Sequence, residues 1–434
     1  MNRWKNYPRS VLIALLAIHV LAHIDRNMLL GFSPQITKDL ALSNAQYGLL
    51  TGAVWVLSYG VMAVFMGALS DRFSRTRVIA VGMLIWSACT AASGAAQDFE
   101  QLVAARFLVA TGEAALVPAA VSLLTELFGV ERRSTAVGVF FMGIPLGVGF
   151  SFLLAGTLGA TQGWRGIFYW LGALGAAIAF LVSLLDDRRH LSHDRSPQAA
   201  PVVQQMRAAL AFVRATPSVL WTIVGFAVAN VVFAGLAFAP LWLVRERGFD
   251  AAVIARQIGL LQIVFGVLGS LVGGMLGDRL GNRMRGGHSG VIVALIVLCG
   301  PLMVGYRFAP PGSALFYVGM CAGFFLPLAL YGPALALLQG RTPPHMRSTV
   351  AGLAMLLLNI FAIAIGNAAV GLVSDRLSSA GTPHALTIAL LGTDVLAMSS
   401  TVFFVMAILK TAPRQPCLSW QAVLKRATVN RDDH

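Results

Sequence analysis

Long apolar runs alternate along this chain with short polar breaks. Runs such as Ser10 to Phe32 and Gly290 to Tyr306 approach or exceed the ~17–20 residues a helix needs to cross ~30 Å of hydrocarbon. Placing loops at the breaks predicts twelve helical spans, at roughly 10–33, 45–70, 77–96, 101–127, 134–159, 165–185, 217–244, 256–277, 288–307, 313–340, 348–374 and 384–409. The longest polar stretch, Asp186 to Thr216, follows the sixth span. It divides the chain into an N-terminal six-helix unit (1–185), a linker (186–216), a C-terminal six-helix unit (217–410) and a tail (411–434). Gln204 to Phe212 within the linker is either an amphipathic helix on the membrane surface or plain solvated chain.

The two halves repeat each other. Gly67, Leu69, Asp71 and Arg72, between spans two and three, match Gly274, Leu276, Asp278 and Arg279, between spans eight and nine, at one offset of 207. Arg133-Ser134-Thr135 before span five returns as Arg347-Ser348-Thr349 before span eleven, with Gly138 matching Gly352. Two loop motifs recurring in the same order indicate a duplicated six-helix unit, a parallel repeat. The expected fold is an all-α membrane protein, twelve transmembrane helices in two pseudo-symmetric six-helix bundles.

Composition agrees. The chain is 57% hydrophobic and only 12% charged, with mean hydropathy +0.76, whereas soluble domains carry about a quarter charged residues. Its net charge of +14 invites a nucleic-acid reading, so the placement of the charges has to decide. With both termini cytoplasmic, 23 of the 32 Lys and Arg fall on the cytoplasmic side and 7 on the other, Arg26 and Arg106 lying within spans. That asymmetry is the positive-inside signature, so basicity encodes topology and no nucleic-acid partner is expected. The basic N-terminus precedes a run interrupted by Asp25-Arg26 with no small-residue cleavage pattern after it, so it reads as the first span rather than a signal peptide. Cys89, Cys299, Cys321 and Cys417 show no CxxC pairing, and neither a metal nor a cofactor is expected.

Four ionisable residues inside the spans stand out, because each costs about 2.5–3.5 kcal/mol at a helix centre. These are Asp25, Arg26, Arg106 and Glu113. At ~1.5 Å per residue Asp25 lies ~12 Å from the outer end of span one, while Arg106 and Glu113 lie ~8 Å and ~18 Å deep in span four. Seven residues apart, Arg106 and Glu113 share one helical face, so a buried network of two acids and two arginines is sterically feasible. Such charges either dock span one on span four or couple protons to cargo, since a carboxylate can exchange an Arg partner for a proton and Arg does not deprotonate.

The loop Gly67 to Arg77, reading GALSDRFSRTR, closely resembles the signature loop of the major facilitator superfamily. The resemblance implies a gate latch built from Gly67, Asp71, Arg72 and Arg75, with Asp278, Arg279, Arg133 and Arg347 in the repeated loops. In the N-terminal half HIDRN (23–27), AQYGLL (45–50), ARFLVATGEAALVPAA (105–120), FMGIPLGVGF (141–150) and GWRGIFYWLGALG (163–175) together look like the spinster family. That resemblance implies that Asp25, Arg26 and Glu113, with Arg106 in the preceding Arg position, are the charged residues of a cavity, and that the cargo is a sphingoid or lysophospholipid amphiphile. The C-terminal half matches at superfamily level only.

Other polar positions are weaker. His19 and His23, four apart, either face the cavity or pack against neighbours, and two histidines make a poor metal site. Asn230, Gln262, Asn359 and Asn367 either line a cavity or bond between helices. Gly143, Pro145, Gly147 and Gly149 resemble, without matching, the Gly-Pro motif of antiporters. No phosphate-binding loop is present, so the energy must come from an ion gradient. The linker is too short to bury a core of its own, which speaks against an enzyme or sensor. The function expected is a monomeric, proton-coupled inner-membrane carrier of anionic amphiphiles, with Asp25 and Glu113 coupling protons and Arg26, Arg106, His23, Asn230 and Asn359 binding cargo. A carrier of small organic anions or drugs is the alternative.

Overall fold

The computed structural model describes residues 7–184, 202–281, 283, 284, 286–343 and 346–410, all helix, turn or loop. The gate residues Gly67, Asp71, Arg72 and Arg133 lie outside those whose side chains are described. The first span is α1 (Pro8–Gly31), followed by the short α2 (Ser33–Asp39). The second is α3 (Asn44–Thr51) and α4 (Ala53–Arg72), the third α5 (Arg75–Ala95), and the fourth α6 (Phe99–Glu113) and α7 (Leu116–Leu127). The fifth is α8 (Val130–Phe141) and α9 (Gly143–Gly156), the sixth α10 (Gly159–Ser183). Within the predicted linker, α11 (Val202–Ala215) forms a helix, and residues 185–201 lie outside the description. The seventh span is α12 (Pro217–Ala229) and α13 (Val232–Arg245), then α14 (Ala251–Leu280), α15 (His288–Phe308) and α16 (Ala314–Arg341). The eleventh is α17 (Arg347–Leu358), a π-helix (Asn359–Ile365) and α18 (Gly366–Ser379); the twelfth is α19 (Ala385–Leu409).

Among the described residues eleven helical runs are long and apolar enough to cross a membrane. The remaining predicted span is the α3–α4 pair. Local sequence sets several of the boundaries. Ser43 caps α3 by accepting from Gln46 N–H while Gln46 bonds back to Ser43 N–H, and Asp98 and Asp250 cap α6 and α14, satisfying amide groups that a helix start leaves open. The fourth span breaks at Ala114-Ala115, both fully buried. Pro118, four residues on from Ala114, has no N–H to offer that carbonyl, and loss of this bond bends a helix at such a point.

Among the described residues, the hydrogen bonds that join the two halves lie at one end of the molecule. At the end away from the termini, Asp375 of α18 accepts the backbone N–H of Asn44 (3.1 Å) and Ala45 (2.7 Å). Its carboxylate thereby caps α3 from across the interface, where a helix start favours negative charge. Arg245 of α13 bonds Asn44 Oδ1 (2.9 Å) and Thr37 Oγ1 (2.8 Å). Tyr47 Oη donates to Ala237 O (2.9 Å), Asn367 Nδ2 to Thr51 Oγ1 (3.0 Å) and Arg256 Nη1 to Gly156 O (2.8 Å). Glycine permits the closest approach: a Cβ on Gly48 would stand 2.2 Å from Asn367 O, and one on Gly52 2.6 Å from Ile363 O. The hydrogen bonds seen between the halves all lie at this end.

Candidate transport site

Asp25 of α1 and Arg106 of α6 form a direct ion pair, Nη1 to Oδ1 at 3.2 Å, both side chains at most 5% exposed. Thr90 of α5 donates its hydroxyl to the other Asp25 oxygen. Arg106 Nη2 donates to Arg26 O (3.1 Å) and Asp25 O (3.5 Å), so one guanidinium fastens both the carboxylate and the backbone of α1. Left without its partner, a charge buried this deeply would cost several kcal/mol. Three helices of the N-terminal half are therefore joined by one buried pair.

Glu113 is not part of that pair. It ends α6 at the break in the fourth span, where its Oε2 accepts the indole N–H of Trp55 from α4 at 3.1 Å. Its other oxygen, Oε1, is buried and receives no hydrogen bond among the described residues. Arg26 lies with its guanidinium carbon 3.3 Å from the centre of the Trp55 ring, a cation–π contact, and Trp55 stacks on Tyr59 with centroids 4.5 Å apart. Arg26 makes no ion pair or side-chain hydrogen bond among the described residues, although Glu113, Tyr59 and, from α16 in the other half, Tyr331 lie within electrostatic reach. The single network of two acids and two arginines foreseen from the sequence is thus two clusters: a closed Asp25–Arg106 pair, and an open Arg26–Trp55–Glu113 group linked to it through the Arg26 carbonyl. Trp55 keeps the second pair of charges from collapsing onto each other.

The remaining candidates divide. His19 Nδ1 donates to Phe140 O (2.8 Å) and its ring stacks on Phe140, a packing role. His23 lies edge-on to His19 and against Gly147, where an added Cβ would come 2.4 Å from its own Cβ. Asn230 is fully buried; its amide N–H bonds Phe226 O of its own helix, and its Oδ1 accepts no hydrogen bond among the described residues. Asn359 does likewise toward Met355 O while half-buried. No cluster of His, Cys, Asp and Glu suited to a metal occurs among the described residues. At the other end Arg75 pairs with Glu126 of its own half at 2.5 Å, Arg347 Nε bonds Thr342 O at 3.2 Å, and Asp278 and Arg279 are exposed.

One buried pair escapes the sequence reading. Arg307, at the edge of the predicted ninth span and not singled out there, sits at the end of α15 with 3% exposure and bonds Asp394 of α19 at 2.8 Å. Its guanidinium lies 4.7 Å from the Trp242 ring and 4.5 Å from Tyr306. The signal was present: Asp394 interrupts an otherwise apolar run, and an acid at that depth requires a partner.

A sequence profile of the Major Facilitator Superfamily matches residues 15–367. The chain belongs to the major facilitator superfamily. It is similar to an MFS-type efflux pump of Mycolicibacterium smegmatis, 29% identical over 87% of each chain, and to protein spinster of Drosophila melanogaster, 26% identical over 66% of this chain and 49% of the relative. The chain thus spans about half the length of that spinster protein. Among solved structures, a bacterial homolog of the human lysosomal transporter spinster, inward-facing and unoccupied, superposes with TM-score 0.82 at 22% identity over 94% of this chain and 98% of that one. The nucleoside transporter NupG superposes at 0.71 with 14% identity, covering 93% of this chain and all of NupG. The superfamily member described here is a multi-pass integral membrane transporter, and neither its relatives nor its fold are those of enzymes.

Proposed function

We propose that this transporter couples protons to the movement of anionic amphiphiles, acting as a monomer in the inner membrane by alternating access. The observation that carries the reading is the imbalance around Trp55: a permanently charged Arg26 with no ion-pair partner among the described residues, beside a carboxylate with one buried oxygen that accepts no hydrogen bond among them. A proton on Glu113 satisfies that oxygen's neighbourhood and removes the competing negative charge, leaving Arg26 to hold an anionic headgroup through two parallel N–H bonds. Release of the proton restores the negative charge beside Arg26 and expels the anion. Asp25, locked to Arg106, transmits the change to α1. With the termini on the cytoplasmic side, as the charge asymmetry predicts, the sealed end faces outward, and the Asp71 loop latches the inner side in the opposite state. The likeness to spinster proteins supports a lipid-like cargo; the efflux pump, matched over more of its length, supports a drug or small organic anion instead.

The test is uptake into proteoliposomes under an imposed pH gradient, with lysophospholipid and small organic anions offered separately. Glu113→Gln should abolish gradient-driven uptake while leaving counterflow exchange intact. Undiminished gradient-driven uptake in Glu113→Gln would exclude it as the coupling group, and uptake of the small anions alone would replace the lipid reading.

A further inference from the structure

We propose that a bilayer phospholipid occupies a groove on the outside of the C-terminal half, its acyl chain between α12, the eleventh span and α19 and its anionic headgroup at α11. The groove has a volume of about 480 Å³, within the ~300–1,000 Å³ of small-molecule sites. On the eleventh span it runs from Leu357 to Val373, about 24 Å at ~1.5 Å per residue, the shape of one extended chain rather than a compact molecule. Thr393 is its one hydroxyl-bearing lining residue, and that hydroxyl is spent on Leu390 O (2.7 Å). The lining offers a ligand apolar surface alone.

The occupant follows from position. Every lining residue belongs to the C-terminal half, and none of the Arg26–Trp55–Glu113 group takes part, so this is not the cargo site proposed above and does not depend on it. Phe361, Ile365 and Leu396 on its rims are about half exposed, making the groove continuous with the lipid-facing surface of a multi-pass membrane protein. At Gly392 an added Cβ would meet nothing within 4 Å. In hydrocarbon, such a slot fills with an acyl chain.

The lower end supplies the headgroup argument. Ile223 and Leu357, which line the groove, also belong to the apolar patch on which α11 packs through Ala209 and Val213. Arg207 and Arg214 of α11 remain exposed, as expected for the polar face of an interfacial helix. Each arginine near a membrane surface strengthens attraction to anionic lipid about fivefold. The π-helix forms one wall, and its Ile363 carbonyl faces Gly52 across the seal, so the groove backs directly onto the contact that closes the transporter.

Native mass spectrometry of protein released from phosphatidylglycerol or phosphatidylcholine nanodiscs reads the site. The wild type should retain one phosphatidylglycerol roughly 25-fold more strongly than phosphatidylcholine. Gly392→Trp, or Ala369→Phe should the first variant not fold, should remove the retained lipid, and Arg207→Gln with Arg214→Gln should erase the preference while leaving retention of phosphatidylcholine unchanged. Equal lipid retention by wild type and a folded groove-filling variant would overturn the acyl site. Equal retention of the two lipids by the wild type would overturn the headgroup assignment.

Discussion

The two halves each bury an arginine against an aspartate, yet the pairs sit in different company. Arg307 and Asp394 join α15 to α19 at 2.8 Å, flanked by Trp242 and Tyr306, with the Arg247 guanidinium over the same Trp242 ring at 5.5 Å. Arg106 and Asp25 join α6 to α1 at 3.2 Å, next to an Arg26 without an anion and a Glu113 with an unsatisfied oxygen at a helix break. Burial and pairing are the same in both. What separates a strut from a switch is the second carboxylate: Glu113 stands by the N-terminal pair with one oxygen that accepts no hydrogen bond among the described residues.

Removing one member of the C-terminal pair should produce the largest effect. Asp394→Ala strands Arg307 and should cost about 3–5 kcal/mol, while Arg307→Met with Asp394→Leu should recover most of that loss. Thermal unfolding in detergent measures it, and the double variant should still transport. If the double variant folds but is inactive, the C-terminal pair is no mere strut.

Asp25→Asn should behave as a hybrid, losing both stability and coupling, because Arg106 is then left buried opposite a neutral group. Glu113→Gln should lose coupling alone, its melting temperature moving little, since the Trp55 N–H keeps a carbonyl to bond. Comparing the two melting curves sharpens the division between the closed pair and the open group.

Arg26→Lys keeps the charge and loses the fork. It should weaken a phosphate amphiphile by roughly 1.5–3 kcal/mol, the range of hydrogen bonds to charged groups, and a matched alcohol hardly at all. Equal losses for both ligands would make Arg26 a structural cation like Arg307.

The smallest effect belongs to an exposed pair between α2 and the start of the sixth span. Arg165 hydrogen-bonds Asp39, joined by Trp164 N–H at 3.0 Å, and holds the Asp39 carboxyl below its ordinary range. A depressed carboxyl contributes stability that is complete above its unfolded value, near 3.8, and is lost as pH falls through the lower folded value. Both side chains are a third to a half exposed, so the contribution should stay below about 1 kcal/mol. Asp39→Asn should therefore leave unfolding at neutral pH almost unchanged and flatten its dependence only in acid.

These contrasts also mark what the chain discloses by itself. Spans were legible because apolar length is a local property, and Asp25, Arg26, Arg106 and Glu113 because a charge in hydrocarbon is conspicuous. Trp55 was not, since an indole in an apolar run looks like packing until its N–H is seen on Glu113. Thr90 was hidden for the same reason. Arg307 and Arg245 lay where a span ends and a loop begins, so a count of loop Lys and Arg absorbed them, and Asp375, at the edge of span eleven, was never weighed, although the first is buried and the other two close the seal. The break at Ala114-Ala115 had its cause written in Pro118, but which buried carboxyl it would present depended on tertiary packing.

The seal has a consequence for inheritance. Its strongest contacts end on backbone: amides of Asn44 and Ala45, carbonyls of Ala237 and Gly156, and carbonyls pressed against Gly48 and Gly52. Backbone atoms survive any substitution, so over evolutionary drift such a junction asks only that a few positions stay small or keep an Asp, Tyr or Arg. This end of the transporter can thus remain shut in lineages whose cargo chemistry has been rewritten, and cargo preference is free to diverge without each new version having to reinvent how the molecule closes.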